Sequence, residues 1–243
     1  MVKILSILLI LTIGVQTSYA ASGDYAYQAK KYFSQGRYGL AYAQYELALT
    51  EARKEADLIS EGRILTSMAT LATHAMEYEE AKRLLDLVRV YALDEKSKEN
   101  FYKAYMELYN SQGEYKQAFE FASKHSFKKA SAVFFGEAAT AAAGSKKADE
   151  ASSYLKQISK RDSPGQFALY KAKVADLIGE NSTKLYEDAL QISIEKKQYF
   201  ISAMILLRLA EITGNKDYAT RSASVFNELG LSKPFNKASE VAK

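Results

Sequence analysis

One short pattern recurs along the chain and limits its fold more than any other feature. Ser34-Gln35-Gly36-Arg37-Tyr38-Gly39-Leu40-Ala41 and Ser111-Gln112-Gly113-Glu114-Tyr115-Lys116-Gln117-Ala118 share Ser, Gln, Gly, Tyr and Ala at identical offsets. Met76-Glu77-Tyr78-Glu79-Glu80-Ala81 lies between them and keeps the Tyr and the Ala. The three tyrosines stand 40 and then 37 residues apart, a period that marks stacked supersecondary units. Each is flanked by runs whose apolar residues recur at offsets of 3, 4 and 7, so both flanks read as helices. The unit is a helix–turn–helix hairpin. Gly36, Gly113, Gly179 and Gly214 each follow a helical run, where a left-handed residue ends the helix. A lone hairpin cannot bury both faces, so such units must stack.

The residues at these spacings resemble the tetratricopeptide repeat (TPR) family. The first unit supplies Tyr25, Ala29, Tyr32, Gly36, Tyr38, Ala41, Tyr45 and Ala48. The second supplies Leu65, Ala69, Ala72, Tyr78, Ala81, Leu85 and Val88, with Met76 where glycine is usual. The third supplies Tyr102, Met106, Tyr109, Gly113, Tyr115, Ala118 and Ala122, with His125 in place of the last small residue. Clear repeats cover 22–125 and degenerate ones 131–230, in which Gly144 falls in a longer turn and Pro164 opens a helix. The resemblance implies an all-α fold, a right-handed α-α superhelix of about six hairpins. Residues 231–243 read as a tail or a capping segment.

Residues 1–20 stand apart from this pattern. Lys3, the apolar run Ile4–Val15 and Ser18-Tyr19-Ala20 follow the three-part order of a secretory signal peptide, with cleavage after Ala20. A run of that length spans about 18 Å as a helix, against a hydrocarbon core of roughly 30 Å. The expectation is export, to the periplasm or the exterior, with no stable membrane anchor after cleavage. The 243 residues contain no Cys, which excludes disulfides, cysteine-ligated metal and thiol catalysis. The formal charge of +4 is small and mixed, so nucleic acid is not an expected partner.

The family resemblance places the first helix of each hairpin on a concave side. The implied groove residues are Lys30 and Phe33, then Arg63, Thr70, Thr73 and His74, then Lys103, Glu107 and Asn110, with Lys173, Asp176, Arg208 and Glu211 from the degenerate units. Lys30 occupies a position where family members that clamp a C-terminal carboxylate carry Asn, so that clamp is not expected. Lys173/Asp176 and Arg208/Glu211 have the spacing of i, i+3 ion pairs. Tyr25, Tyr32, Tyr38, Tyr45, Tyr102, Tyr109 and Tyr115 fall on repeat-signature positions and read as core, whereas Tyr27, Tyr42 and Tyr105 do not and read as surface. Two histidines without metal-ligand spacing give no reason to expect a metal site, and no catalytic or cofactor motif stands out.

The functional expectation is a non-catalytic scaffold or adaptor that binds a protein or peptide of unknown identity, with neither cofactor nor metal. The alternatives are a cell-wall glycan- or lipid-binding accessory protein and a self-associating structural component of an envelope assembly.

Overall fold

The computed structural model describes residues 22–127 and 129–243, so the leader read at residues 1–20 lies outside it. The described residues are all helix and connection. In chain order they are α1 (22–34), α2 (Tyr38–Lys54), α3 (Leu58–His74), α4 (Tyr78–Asp86), a 3-10 turn (Val90–Ala92), α5 (Glu95–Gln112) and α6 (Tyr115–Lys124). There follow α7 (Ala132–Gly144), α8 (Ala148–Lys156), α9 (Pro164–Leu177), α10 (Thr183–Glu195), α11 (Tyr199–Thr213), α12 (Lys216–Glu228) and α13 (Ser232–Val241).

Local chemistry sets several of the helix starts. Asp57 caps α3 by accepting from the amides of Ile59 and Ser60, Asp94 caps α5 through Ser97, and Ser131 caps α7 through Phe134. Pro164 is the first residue of α9, where its missing N–H costs nothing. The helix ends share one turn. The amide of Arg37 donates to the Tyr32 carbonyl at 2.9 Å, Glu114 to Tyr109 at 2.8 Å, Glu77 to Ala72 at 2.8 Å and Gln198 to Ser193 at 2.9 Å. The residue just before each donor is left-handed: Gly36 and Gly113 at φ 73° and 78°, but also Met76 at 58° and Lys197 at 54°. The second unit therefore makes the glycine turn without glycine.

The helices pack in order. α3 with α4, α5 with α6, α7 with α8, α9 with α10 and α11 with α12 form hairpins, and each second helix also touches the next first helix. The first helices α3, α5, α7 and α9 lie side by side as a row. Alanines with no exposed surface, among them Ala29, Ala41, Ala69, Ala81, Ala118, Ala138, Ala172 and Ala203, let the backbones approach. Gly136 goes further: a β-carbon there would lie 2.1 Å from the Tyr170 ring, so α7 and α9 meet at a point where only glycine fits.

Three sequence expectations need correction. Tyr105, read as surface, is 8% exposed; its ring sits 5.1 Å from Phe101 and 4.9 Å from Phe121, and its hydroxyl donates to Asp86. Tyr42 is half-buried with its hydroxyl on Glu80, leaving Tyr27 as the exposed member of the three at 67%. Gly144 is not in the turn after α7 but ends the helix against the Tyr115 ring, and Lys146 takes the left-handed position at φ 61°.

The two ends of the array meet. One core cluster contains Ala29, Tyr38 and Leu65 from the first hairpins together with Ala203, Leu207, Phe226 and Ala238 from the last helices. The segment 231–243 is mostly helix, α13, and packs on α11 and α12.

Candidate functional site

The groove residues expected from the sequence lie on α1, α3, α5, α9 and α11, and most are held by neighbouring helices. The Glu107 carboxylate on α5 lies 2.9 Å from His74 Nε2 on α3, and the Tyr38 hydroxyl lies 3.3 Å from His74 Nδ1. Burial alone would raise the Glu107 carboxyl; the hydrogen bond and charge of His74, with help from Lys103 and Lys173, overcome this and hold it below its usual value. The Phe200 ring of α11 lies flat on the imidazole, with centroids 3.9 Å apart, and Phe33 lies 5.6 Å away. His74 is thus enclosed by side chains from four elements.

The next rung joins α5, α7 and α9. Asn110 Nδ2 donates to the Glu137 side chain at 2.7 Å and to its carbonyl at 2.9 Å. The Tyr170 hydroxyl donates to the same carboxylate at 2.8 Å, and Lys173 Nζ stands 3.8 Å from it. Burial, then the charges of Glu137 and Glu107, push the Tyr170 hydroxyl well above its usual range. A third rung joins α9, α11 and α13. Arg208 makes two hydrogen bonds to Asp176, at 2.6 and 2.9 Å, and another to Glu211, which also pairs with Lys237 at 3.3 Å. Lys173 and Asp176 therefore bond across helices rather than to one another.

The remaining candidates divide. Arg63 reaches across to α5, donating to Ser97 Oγ at 2.7 Å and to Asp94. Thr73 is buried, and the Thr70 hydroxyl donates within its own helix to Thr66 at 3.3 Å. Lys30 is exposed and Lys103 half-buried, and neither has a hydrogen bond or ion pair among the described residues. On α11, Met204 is exposed one turn before Arg208. Every carboxylate on the three rungs has an internal cationic or hydrogen-bonding partner, whereas Lys103 on α5 and Lys30 on α1 make no hydrogen bond or ion pair among the described residues.

The sequence reading missed Glu137, Tyr170 and Phe200. A signal for Glu137 existed. It is the one charged residue in Ala132–Gly144, an otherwise apolar and small-residue helix, and such a carboxylate must find buried partners.

Two open clefts lie elsewhere. One of 390 Å³ sits where the ends meet, with Arg37, Tyr38, Leu40, Tyr199 and Leu229 in its walls. The other, 480 Å³, lies between the 3-10 turn and the α6–α7 connection and includes Tyr91, Lys98, Tyr102 and His125. His125 stacks on Tyr102 at 3.6 Å, and burial followed by the charge of Lys124 lowers its pKa. Among the described residues no group of three His, Asp or Glu side chains is placed to hold a metal ion, and no helix is long and apolar enough to cross a membrane.

Compared with known proteins, the chain matches no family model, and no curated protein matches it.

Proposed function

We propose that this protein is an exported, non-catalytic binding module of the TPR type, a right-handed superhelix that docks an acidic segment of a partner protein across its row of first helices. The observation that carries this reading is the charge asymmetry of that face. The carboxylates of Glu107, Glu137, Asp176 and Glu211 are all engaged by internal partners, while Lys103, whose charge acts on Glu107, and Lys30 make no hydrogen bond or ion pair among the described residues. A row whose polar side chains already bond to one another is preorganised, so a partner does not bear the entropy of ordering them. These two ammonium groups supply charge complementarity and speed encounter. Export to the periplasm or the exterior follows from the leader pattern in residues 1–20.

The test is site-specific photo-crosslinking from Lys30 and Lys103, with Lys116 on α6 as the control, followed by identification of the captured chain and charge reversal of the same two lysines. The reading expects one partner captured from both Lys30 and Lys103, through an acidic segment, and lost in Lys30→Glu/Lys103→Glu. Capture equal to that at Lys116, or capture unaffected by the reversal, contradicts it.

A further inference from the structure

The last three helices form a unit that leaves the row and reaches back to the start of the chain. α11, α12 and α13 pack on one another, and the buried Ser222 hydroxyl ties α12 to the Ala203 carbonyl at 2.8 Å. The row of close helix pairs runs from α3 to α9, but α11 packs on α10 and joins α9 through side chains, an apolar cluster with Ala172, Leu190, Ile205 and Leu209 and the Arg208–Asp176 pair. At its other side the unit meets the first hairpins. Phe200 stacks on His74, Leu229 fills the space that a β-carbon on Gly36 would need, and Lys233 lies 2.6 Å from Glu77.

The connection that directs the unit back is Lys196-Lys197-Gln198. Lys197 is left-handed at φ 54°, a conformation that penalises a β-carbon. The local sequence Glu195-Lys196-Lys197-Gln198 contains strong helix formers and neither Gly nor Pro. Local preference is therefore to continue α10 into α11. The bend is held by α10–α11 packing and by contacts that the unit makes at the far end of the chain.

We infer that residues 199–243 exchange between two copies of this chain. In the exchanged dimer α10 runs on into α11 through Lys197, and each unit docks on α9, α10 and the first hairpins of the other copy, where Ile205, Leu206, Leu209 and Arg208 regain the partners they have within one chain. The contacts of Phe200 with His74, Leu229 with Gly36 and Lys233 with Glu77 are then made between copies. Such an exchange closes with two-fold symmetry, because the surfaces that pair are those already complementary within one chain. It relieves the left-handed lysine at both hinges and adds helical residues there. A short hinge under strain is the setting in which exchange competes with closure. This inference is independent of what docks on the row.

The absence of cysteine makes the test direct. Residues 21–243 carrying Glu79→Cys and Ser232→Cys, both exposed and beside the seam, are refolded at low and at high chain concentration, sized by light scattering and treated with a short bismaleimide. Exchange predicts a dimer at high concentration whose crosslinks join two chains on a denaturing gel, and a monomer at low concentration crosslinked within one chain. Lys197→Gly permits the turn and disfavours the continuous helix, so it lowers the dimer-to-monomer ratio by about tenfold or more. A chain that stays monomeric throughout, a dimer crosslinked only within chains, or a dimer ratio unchanged by Lys197→Gly overturns the inference.

Discussion

The His74 imidazole lies flat against the Phe200 ring, with centroids 3.9 Å apart and planes within 9°, although the two residues belong to opposite ends of the chain. With the shared apolar core and the contact of Leu229 at Gly36, this stack joins the sixth hairpin to the first and second. Phe200 is half-buried, and its ring also lies 6.0 Å from Tyr38 and 6.2 Å from Phe226. Phe200→Ala should lower stability by about 2 kcal/mol, below the range for a fully buried Phe. Urea unfolding checks the magnitude, and amide exchange checks the location. Protection should fall in α3 as well as in α11, and loss confined to α11 would show that the stack does not join the ends.

Glu137 is the most consequential polar group of the row. It is 3% exposed and accepts from Asn110 and Tyr170, with Lys173 beside it. Glu137→Ala leaves these groups facing an apolar gap and should cost about 3 kcal/mol. Glu137→Gln keeps most of the hydrogen bonds and should cost clearly less. Thermal melts of the two variants decide this, and equal losses would mean that the carboxylate's partners do not depend on it.

Lys146 offers a gain. It is exposed, left-handed at φ 61°, and without a side-chain bond among the described residues. Lys146→Gly removes the β-carbon penalty and adds some unfolded-state entropy, for a net stabilisation of about 0.5 kcal/mol. Lys146→Ala keeps the penalty and should leave the urea midpoint unchanged. A destabilised glycine variant would contradict the turn geometry.

Acid should weaken the fold in a defined direction. The carboxyls of Glu107, Glu99 and Asp86 are all held below their usual values: for Glu99 and Glu107 hydrogen bonds and cationic neighbours outweigh burial, and for Asp86 the bond from Lys82 leads. A depressed carboxyl contributes stability above its unfolded pKa and loses it as pH falls through the folded value, since the unfolded chain binds the proton first. Urea midpoints should therefore be steady near neutrality and fall as pH drops below the ordinary glutamate value of 4.5. Glu107→Gln should flatten part of that slope. A midpoint indifferent to pH between about 5 and about 3 would rule these bonds out as stability determinants.

The hairpins were legible because their information is local. The alanines at Ala41, Ala69 and Ala118 and the tyrosines beside the turns mark helix faces directly, and Pro164 marks a helix start. The left-handed Met76 and Lys197 were not legible as such, because packing of the flanking helices imposes their backbone against local preference. Tyr105 was misread because its burial depends on α6, whose Phe121 stacks on it. The pairing of the groove candidates did not show in the sequence. Contacts such as His74 with Glu107 or Asn110 with Glu137 depend on the register between neighbouring first helices. The meeting of Phe200 with His74 depends on packing between helices far apart in the chain, which no local segment encodes.

The meeting of the two ends underlies the site, the seam and the exchange alike, and one distance tests it. Spin labels at Glu79→Cys and Ser232→Cys leave the Lys233–Glu77 pair intact and are the sole labels in a cysteine-free chain. On the monomeric fraction, pulsed dipolar spectroscopy should give one narrow distance of about 20 Å, the scale of two packed helices plus the label arms. An array whose hairpins followed one another without closing, at about 10 Å each, would put the labels about 50 Å apart, and a distribution centred there would contradict the account.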